Sequence, residues 1–153
     1  MIKITLPDGS IKEMESGTTP MDVAMSISHG LARNVISASF NGTKVETKTP
    51  LVEDGSLVLF TFSNPEGKEA FWHSTSHIMA QVIEELFPGV SLTIGPAIDN
   101  GFYYDIDFKE HSISETDIPR IEARMLEVAR GKHEFTMRSV SKAAAVQLYK
   151  DQN

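Results

Sequence analysis

The sequence predicts an α+β protein in two parts: a ubiquitin-like β-grasp module over residues 1–62 and a helix-rich second part over residues 69–153 that reads as incomplete. Three observations predict it. Period-two alternation marks the first part, as where Ile2, Ile4 and Leu6 alternate with Lys3 and Thr5. Turn signals punctuate the same region at Pro7-Asp8-Gly9, Asn41-Gly42, Thr49-Pro50 and Asp54-Gly55. Beyond 63–68, a polar Pro- and Gly-containing stretch that reads as a linker, the apolar spacing lengthens to that of helices.

Taken in order, Ile2 to Leu6 and Ile11 to Met14 form a hairpin across the Pro7-Asp8-Gly9 turn. Thr19-Pro20 opens a helix whose apolar stripe is Val23, Ala24 and Ile27, with Gly30 as its stop. Val35 to Phe40 and Leu57 to Phe62 are strands, the latter apolar enough to be central. The resulting order, β-β-α-β-β, suits a small mixed sheet packed on one helix. In the second part a helix runs from Glu69 to Phe87 and stops at Pro88-Gly89. Strands follow at Val90 to Ile94 and Phe102 to Phe108. A further helix starts within Ser114 to Asp117, burying Ile118, Ile121, Met125, Val128 and Ala129, and ends at Gly131. His133 to Val140 reads as a strand, and Ser141 caps a last helix through Tyr149.

Composition narrows the function classes. A net charge of −7 argues against a free-standing nucleic-acid binder, since phosphate contacts demand a basic surface. It leaves room for a site that handles only the end of an RNA. No apolar run is long enough to span a bilayer, and the N-terminus lacks a signal-peptide pattern, so no membrane association is expected. The absence of cysteine removes disulfides and thiolate zinc sites and fits a cytoplasmic protein.

The sharpest chemical feature is the pair His73 and His77. At about 100° per residue their side chains project within roughly 40° of each other, one turn apart. Phe71, Ile78, Met79, Val82 and Leu86 cluster on the opposite side, so the pair lies off the main apolar face. Three readings are open: two solvated surface histidines, a metal half-site, or an acid/base pair. Zinc requires three or four ligands, and Glu84, on the same face, lies two turns from His77, about 10 Å away. Acid/base or hydrogen-bonding chemistry is therefore the preferred reading, since a neutral imidazole activates water near pH 7. His29, His111 and His133 are isolated, and His29 near a helix end reads as a surface or dipole-favoured residue. In Gly95-Pro96-Ala97-Ile98-Asp99-Asn100-Gly101-Phe102-Tyr103-Tyr104-Asp105, alternation places Phe102 with Tyr104 and Tyr103 with Asp105.

The segments Leu6-Pro7-Asp8-Gly9, Gly17-Thr18-Thr19-Pro20 and Thr49-Pro50-Leu51-Val52-Glu53-Asp54-Gly55 resemble the TGS domain, a β-grasp module of synthetases, GTPases and stringent-response enzymes. Trp72-His73-Ser74-Thr75-Ser76-His77, followed by the Ile94–Asp105 stretch, resembles the editing domain of threonyl-tRNA synthetases. Together the resemblances cover essentially the whole chain. They imply an N-terminal fragment of such a ligase, whose parent joins threonine to tRNA(Thr) with ATP and hydrolyses mischarged seryl-tRNA(Thr). His73 and His77 would then belong to the editing pocket at the tRNA 3′ end, with Tyr104 as a further pocket member. A second editing motif, Cys with His four residues on, and a lysine associated with the hydrolytic water are absent. By the same resemblance, ATP, magnesium and zinc belong to an aminoacylation domain outside this sequence. No cofactor is expected within it, a homodimer would form through other domains, and the fragment alone is expected to be inactive. Two alternatives stand beside this: a TGS-bearing regulatory or RNA/ribosome-binding module with no catalytic histidines, and a metal-dependent hydrolase.

Overall fold

The computed structural model describes residues 1–133 and 138–151. Its first part is a five-stranded sheet in the order β2 (Ile11–Met14), β1 (Ile2–Thr5), β5 (Gly55–Thr61), β3 (Val35–Phe40) and β4 (Thr43–Val45). Strands β1 (Ile2–Thr5) and β2 (Ile11–Met14) form the expected hairpin, pairing Ile2 with Met14 and Thr5 with Ile11. The apolar strand β5 (Gly55–Thr61) is central, parallel to β1 and antiparallel to β3 (Val35–Phe40). Ile2, Ile4, Val23, Ala38, Phe40, Leu51 and Leu57 make its core. Helix α1 (Pro20–Ile27) opens with Thr19, whose backbone N–H donates to the Asp22 carboxylate at 2.9 Å, and with Pro20 in its first turn.

Two local expectations change here. Gly30 does not stop α1. The chain turns at Ser28, extended at φ −166°, and restarts as a short helix α2 (His29–Asn34) capped by the Ser28 hydroxyl. Ser28 prevails because its Oγ satisfies the Leu31 N–H at 3.0 Å, which gives a second helix its own start. His29 is consequently the first residue of a helix, where the dipole disfavours a cation, so it stands as an exposed surface residue. A fifth strand, β4 (Thr43–Val45), pairs with β3 across the Asn41-Gly42 turn. Its three residues carry too little alternation to be seen in sequence.

Of the stretch 63–68, read as a linker, residues 65–68 are helical. Helix α3 (Pro65–Leu86) begins at Pro65, three residues after β5, and runs for 22 residues, roughly 33 Å. Pro65 suits a helix start, and Asn64 caps the strand instead, its Oδ1 accepting from the Thr61 N–H at 2.8 Å. Gly67 explains the directness of the joint: a Cβ there would lie 1.9 Å from the Thr61 carbonyl oxygen. Phe62, Phe71, Trp72 and Phe102 add edge-on and tilted ring contacts around it. Phe71, expected on the apolar face, is 40% exposed in that cluster.

The C-terminal half of α3 buries Val82, Ile83 and Phe87 against Ile121 and Val128 of α4 (Ile118–Arg130). Ahead of α4 the Asp117 carboxylate accepts from the Ser114 N–H at 3.0 Å, and a 3-10 turn at Glu115–Asp117 leads into Pro119. The expected strand Phe102–Phe108 is divided. Gly101–Phe102 (β8) pairs with Ala97–Ile98 (β7), and Ile106–Asp107 (β9) pairs with Ser91–Leu92 (β6). Between them Phe102 and Tyr104 are half-buried while Tyr103 and Asp105 are exposed, so the alternation of faces survives the break. Half of the strand read at His133 to Val140 lies outside the described residues; His133 and Arg138 to Val140 carry no strand. A last helix, α5 (Lys142–Asp151), starts from Ser141, whose Oγ accepts from the Ala144 N–H at 3.2 Å.

Candidate functional site

His73 and His77 lie on either side of the middle of α3, N-terminal to the residues that build its buried core. Their rings meet edge-on, with centroids 4.5 Å apart and planes at 88°, and the two Nε2 atoms are 3.0 Å apart. A bond between two Nε2 atoms requires one proton and one lone pair. One imidazole therefore carries its proton on Nε2 and has an acceptor at Nδ1, while its neighbour, if neutral, has an Nδ1–H donor. The pair thus combines a base with a hydrogen-bond donor. Burial pushes the His77 imidazole below its ordinary value of 6.5, and the charge of His73 lowers it further. Both causes favour the neutral form, the one able to accept a proton.

Between the histidines is Ser76, 1% exposed. Its hydroxyl donates to the His73 carbonyl at 2.7 Å and, in a shared bond, faces the Gly95 carbonyl at 3.2 Å. This ties the histidine turn to the segment that carries Tyr104. Gly95 in turn admits the Tyr104 ring, because a Cβ at Gly95 would lie 2.1 Å from the ring carbon Cδ2. The chain beyond is held in register as the Asp105 N–H donates to the Ile94 carbonyl at 2.9 Å and the Thr93 N–H to the Asp105 carbonyl at 3.1 Å.

These pieces line an open groove of about 910 Å³. One wall is the His73–His77 face of α3, and a second is Thr93 to Ala97 with Tyr104. The third belongs to the first part of the protein: Ile36, Ser37 and Ala38 of β3, with Lys44, Val45, Glu46 and Thr49. Lys44 Nζ bridges to Glu69 at 2.7 Å, one helical turn before His73. That bond holds the Glu69 carboxyl below the usual carboxylate range, with Lys44 the main cause.

All three residues singled out from sequence, His73, His77 and Tyr104, line this one groove. Glu84 does not line it and is exposed further along α3. His111 lies elsewhere, its Nε2 2.8 Å from the Pro88 carbonyl and its ring against Phe87. Among the described residues no three His, Asp or Glu side chains converge as metal ligands. Ser76, Gly95, Lys44 and Glu69 were not singled out. Ser76 and Gly95 carry a weak signal, since small residues beside a functional turn mark close approach. Lys44 and Glu69 are 25 positions apart and carry none.

Comparison with known proteins finds a domain-family match in the first part and similarity to ligases along nearly the whole chain. Residues 2–61 match the TGS domain family. Over 151 residues, 99% of its length, the chain is 66% identical to the threonine–tRNA ligases of Flavobacterium johnsoniae and Flavobacterium psychrophilum. The chain matches the N-terminal region of threonine–tRNA ligases. It is 46% identical to the Cytophaga hutchinsonii ligase over the same span. In each case it spans 23% of the relative's length. The β-grasp sheet and α1 are the part of the chain that matches the TGS domain family, and their β3–β4 edge forms one wall of the histidine groove.

Proposed function

We propose that this chain supplies the histidine-bearing half of a hydrolytic pocket in a threonine–tRNA ligase, which removes serine wrongly attached to tRNA(Thr). The observation that carries the reading is the His73–His77 pair, hydrogen-bonded through Nε2 in a groove it shares with Tyr104. The relatives, named as threonine–tRNA ligases along nearly the whole chain, favour it over a stand-alone regulatory module. A second site is physically required. Serine lacks one methyl group relative to threonine, and one methyl in a pocket is worth only about 1–3 kcal/mol of discrimination.

In this mechanism the neutral imidazole with a free lone pair accepts a proton from water as the water oxygen attacks the ester carbonyl carbon. The carbon–oxygen bond to the terminal ribose then breaks. The ribose oxygen takes the proton that the imidazole had accepted, leaving serine and tRNA with a free hydroxyl. The Nδ1–H of the partner imidazole and the Tyr104 hydroxyl serve as donors that orient the terminal nucleotide. The aminoacylation reaction, with its ATP, magnesium and zinc, belongs in this reading to other parts of the ligase, and the protein works in the cytoplasm as a homodimer.

The test is deacylation of seryl-tRNA(Thr) by the full-length protein carrying this sequence. His73→Ala and His77→Ala should each slow it by about 10²-fold or more, the usual scale for general acid–base catalysis. Unchanged hydrolysis in both variants would sink the assignment.

A further inference from the structure

We propose that Lys44, a TGS-domain residue, contacts a backbone phosphate of the RNA end that enters the histidine groove, and that Glu69 holds it in position until the RNA arrives. The proposal rests on the hydrolytic reading above. Three observations carry it. Lys44 lies on the edge strand β4 yet lines the same groove as His73 and His77, so the TGS domain faces the substrate of the second part. Among the described residues lining that groove, Lys44 is the only permanent cation, while Glu46, Glu66 and Glu69 are carboxylates. An RNA terminus bound with its ester at the histidines brings its nearest internucleotide phosphate one nucleotide away, and among the described lining residues Lys44 alone offers it a permanent positive charge to offset the three carboxylates.

The third observation is the state of Lys44 itself. Its side chain is 70% exposed and held by Glu69, itself 60% exposed, at 2.7 Å. An exposed pair of this kind contributes little stability, so a phosphate can displace the carboxylate at small cost. The ammonium is a compact point charge suited to phosphate. Glu69 is thus a positioning residue: it extends Lys44 across the groove mouth one turn from His73 and releases it to the RNA.

The test uses the full-length protein carrying this sequence, with two readouts. One is KM and kcat for seryl-tRNA(Thr) deacylation. The other is binding of an RNA hairpin whose 3′ end carries serine through a non-hydrolysable amide. Lys44→Ala should raise KM and weaken hairpin binding several-fold, with the loss confined to KM, and should flatten the dependence on salt by about one phosphate contact. Lys44→Arg should restore both. Glu69→Gln should act in the opposite direction, lowering KM and tightening binding. If Lys44→Ala and Glu69→Gln shift binding in the same direction, the pair is only a brace between β4 and α3 and the proposal is overturned. It is overturned equally if Lys44→Ala has no effect. Hydrolysis that survives His73→Ala and His77→Ala overturns the hydrolytic reading instead, while the hairpin still reports on Lys44.

Discussion

The chemistry of the groove turns on where one proton sits. In the folded chain His77 disfavours its charged form, through burial first and His73 second. As pH falls through 6.5 the unfolded chain therefore binds a proton before the folded chain does. The corresponding stability is complete above 6.5 and declines as pH drops toward the lowered folded value. In an NMR titration the His77 ring resonances should move with a midpoint below 6.5, and His73→Gln should shift that midpoint upward by removing one of its two causes. A midpoint at or above 6.5 in the unsubstituted chain would contradict the burial. Ser76 allows a second prediction at this scale. Ser76→Ala leaves the Gly95 carbonyl without its partner and should cost about 1–2 kcal/mol in urea unfolding.

At the scale of elements, α3 is the decisive one. It follows β5 after three residues and carries the histidines about its middle and the second core toward its C-terminal end. The joint depends on Gly67, where any side chain meets the Thr61 carbonyl. Gly67→Ala should destabilise the protein by about 1–3 kcal/mol, although alanine is the better helix former, because a backbone oxygen cannot move aside as a side chain can. A stabilised Gly67→Ala variant would show that the helix is not seated against β5. Gly95 plays the matching part on the opposite wall. Gly95→Ala should expel the Tyr104 ring, seen as an increase in Tyr104 exposure to chemical modification, with α3 unchanged by circular dichroism.

Across the whole molecule, stability is uneven. The core of the β-grasp sheet and the α3–α4 core are each buried, but among the described residues α5 contributes none to the hydrophobic clusters and presents Val146, Leu148 and Tyr149 at 45–67% exposure. A helix of 10 residues whose exposed Val146 and Leu148 add nothing to the buried clusters gains little from packing and is marginal in water. Hydrogen exchange should therefore be fastest in the amides of α5, near the unprotected rate, and slowest in β5 and the second half of α3. Strong protection of α5 in the isolated chain would refute this. No described helix is long and apolar enough to cross a membrane, which agrees with the absence of a long apolar run.

Local chemistry sufficed for much of this. The β1–β2 hairpin, the central place of β5 and the shared face of His73 and His77 follow from alternation, turn residues and helical period, which act between neighbours in the chain. The same locality explains the misses. Ser28 against Gly30 was a contest between a cap and a stop, and the 63–68 stretch read as a linker because its polar composition says nothing about the Thr61 carbonyl beneath Gly67. Strand β4 was too short to show a period. Packing alone settled the groove: the TGS edge lies beside α3, Lys44 reaches Glu69, and Tyr104 rests on Gly95. Those contacts join residues far apart in sequence, and their energy depends on distances in space that no spacing along the chain encodes.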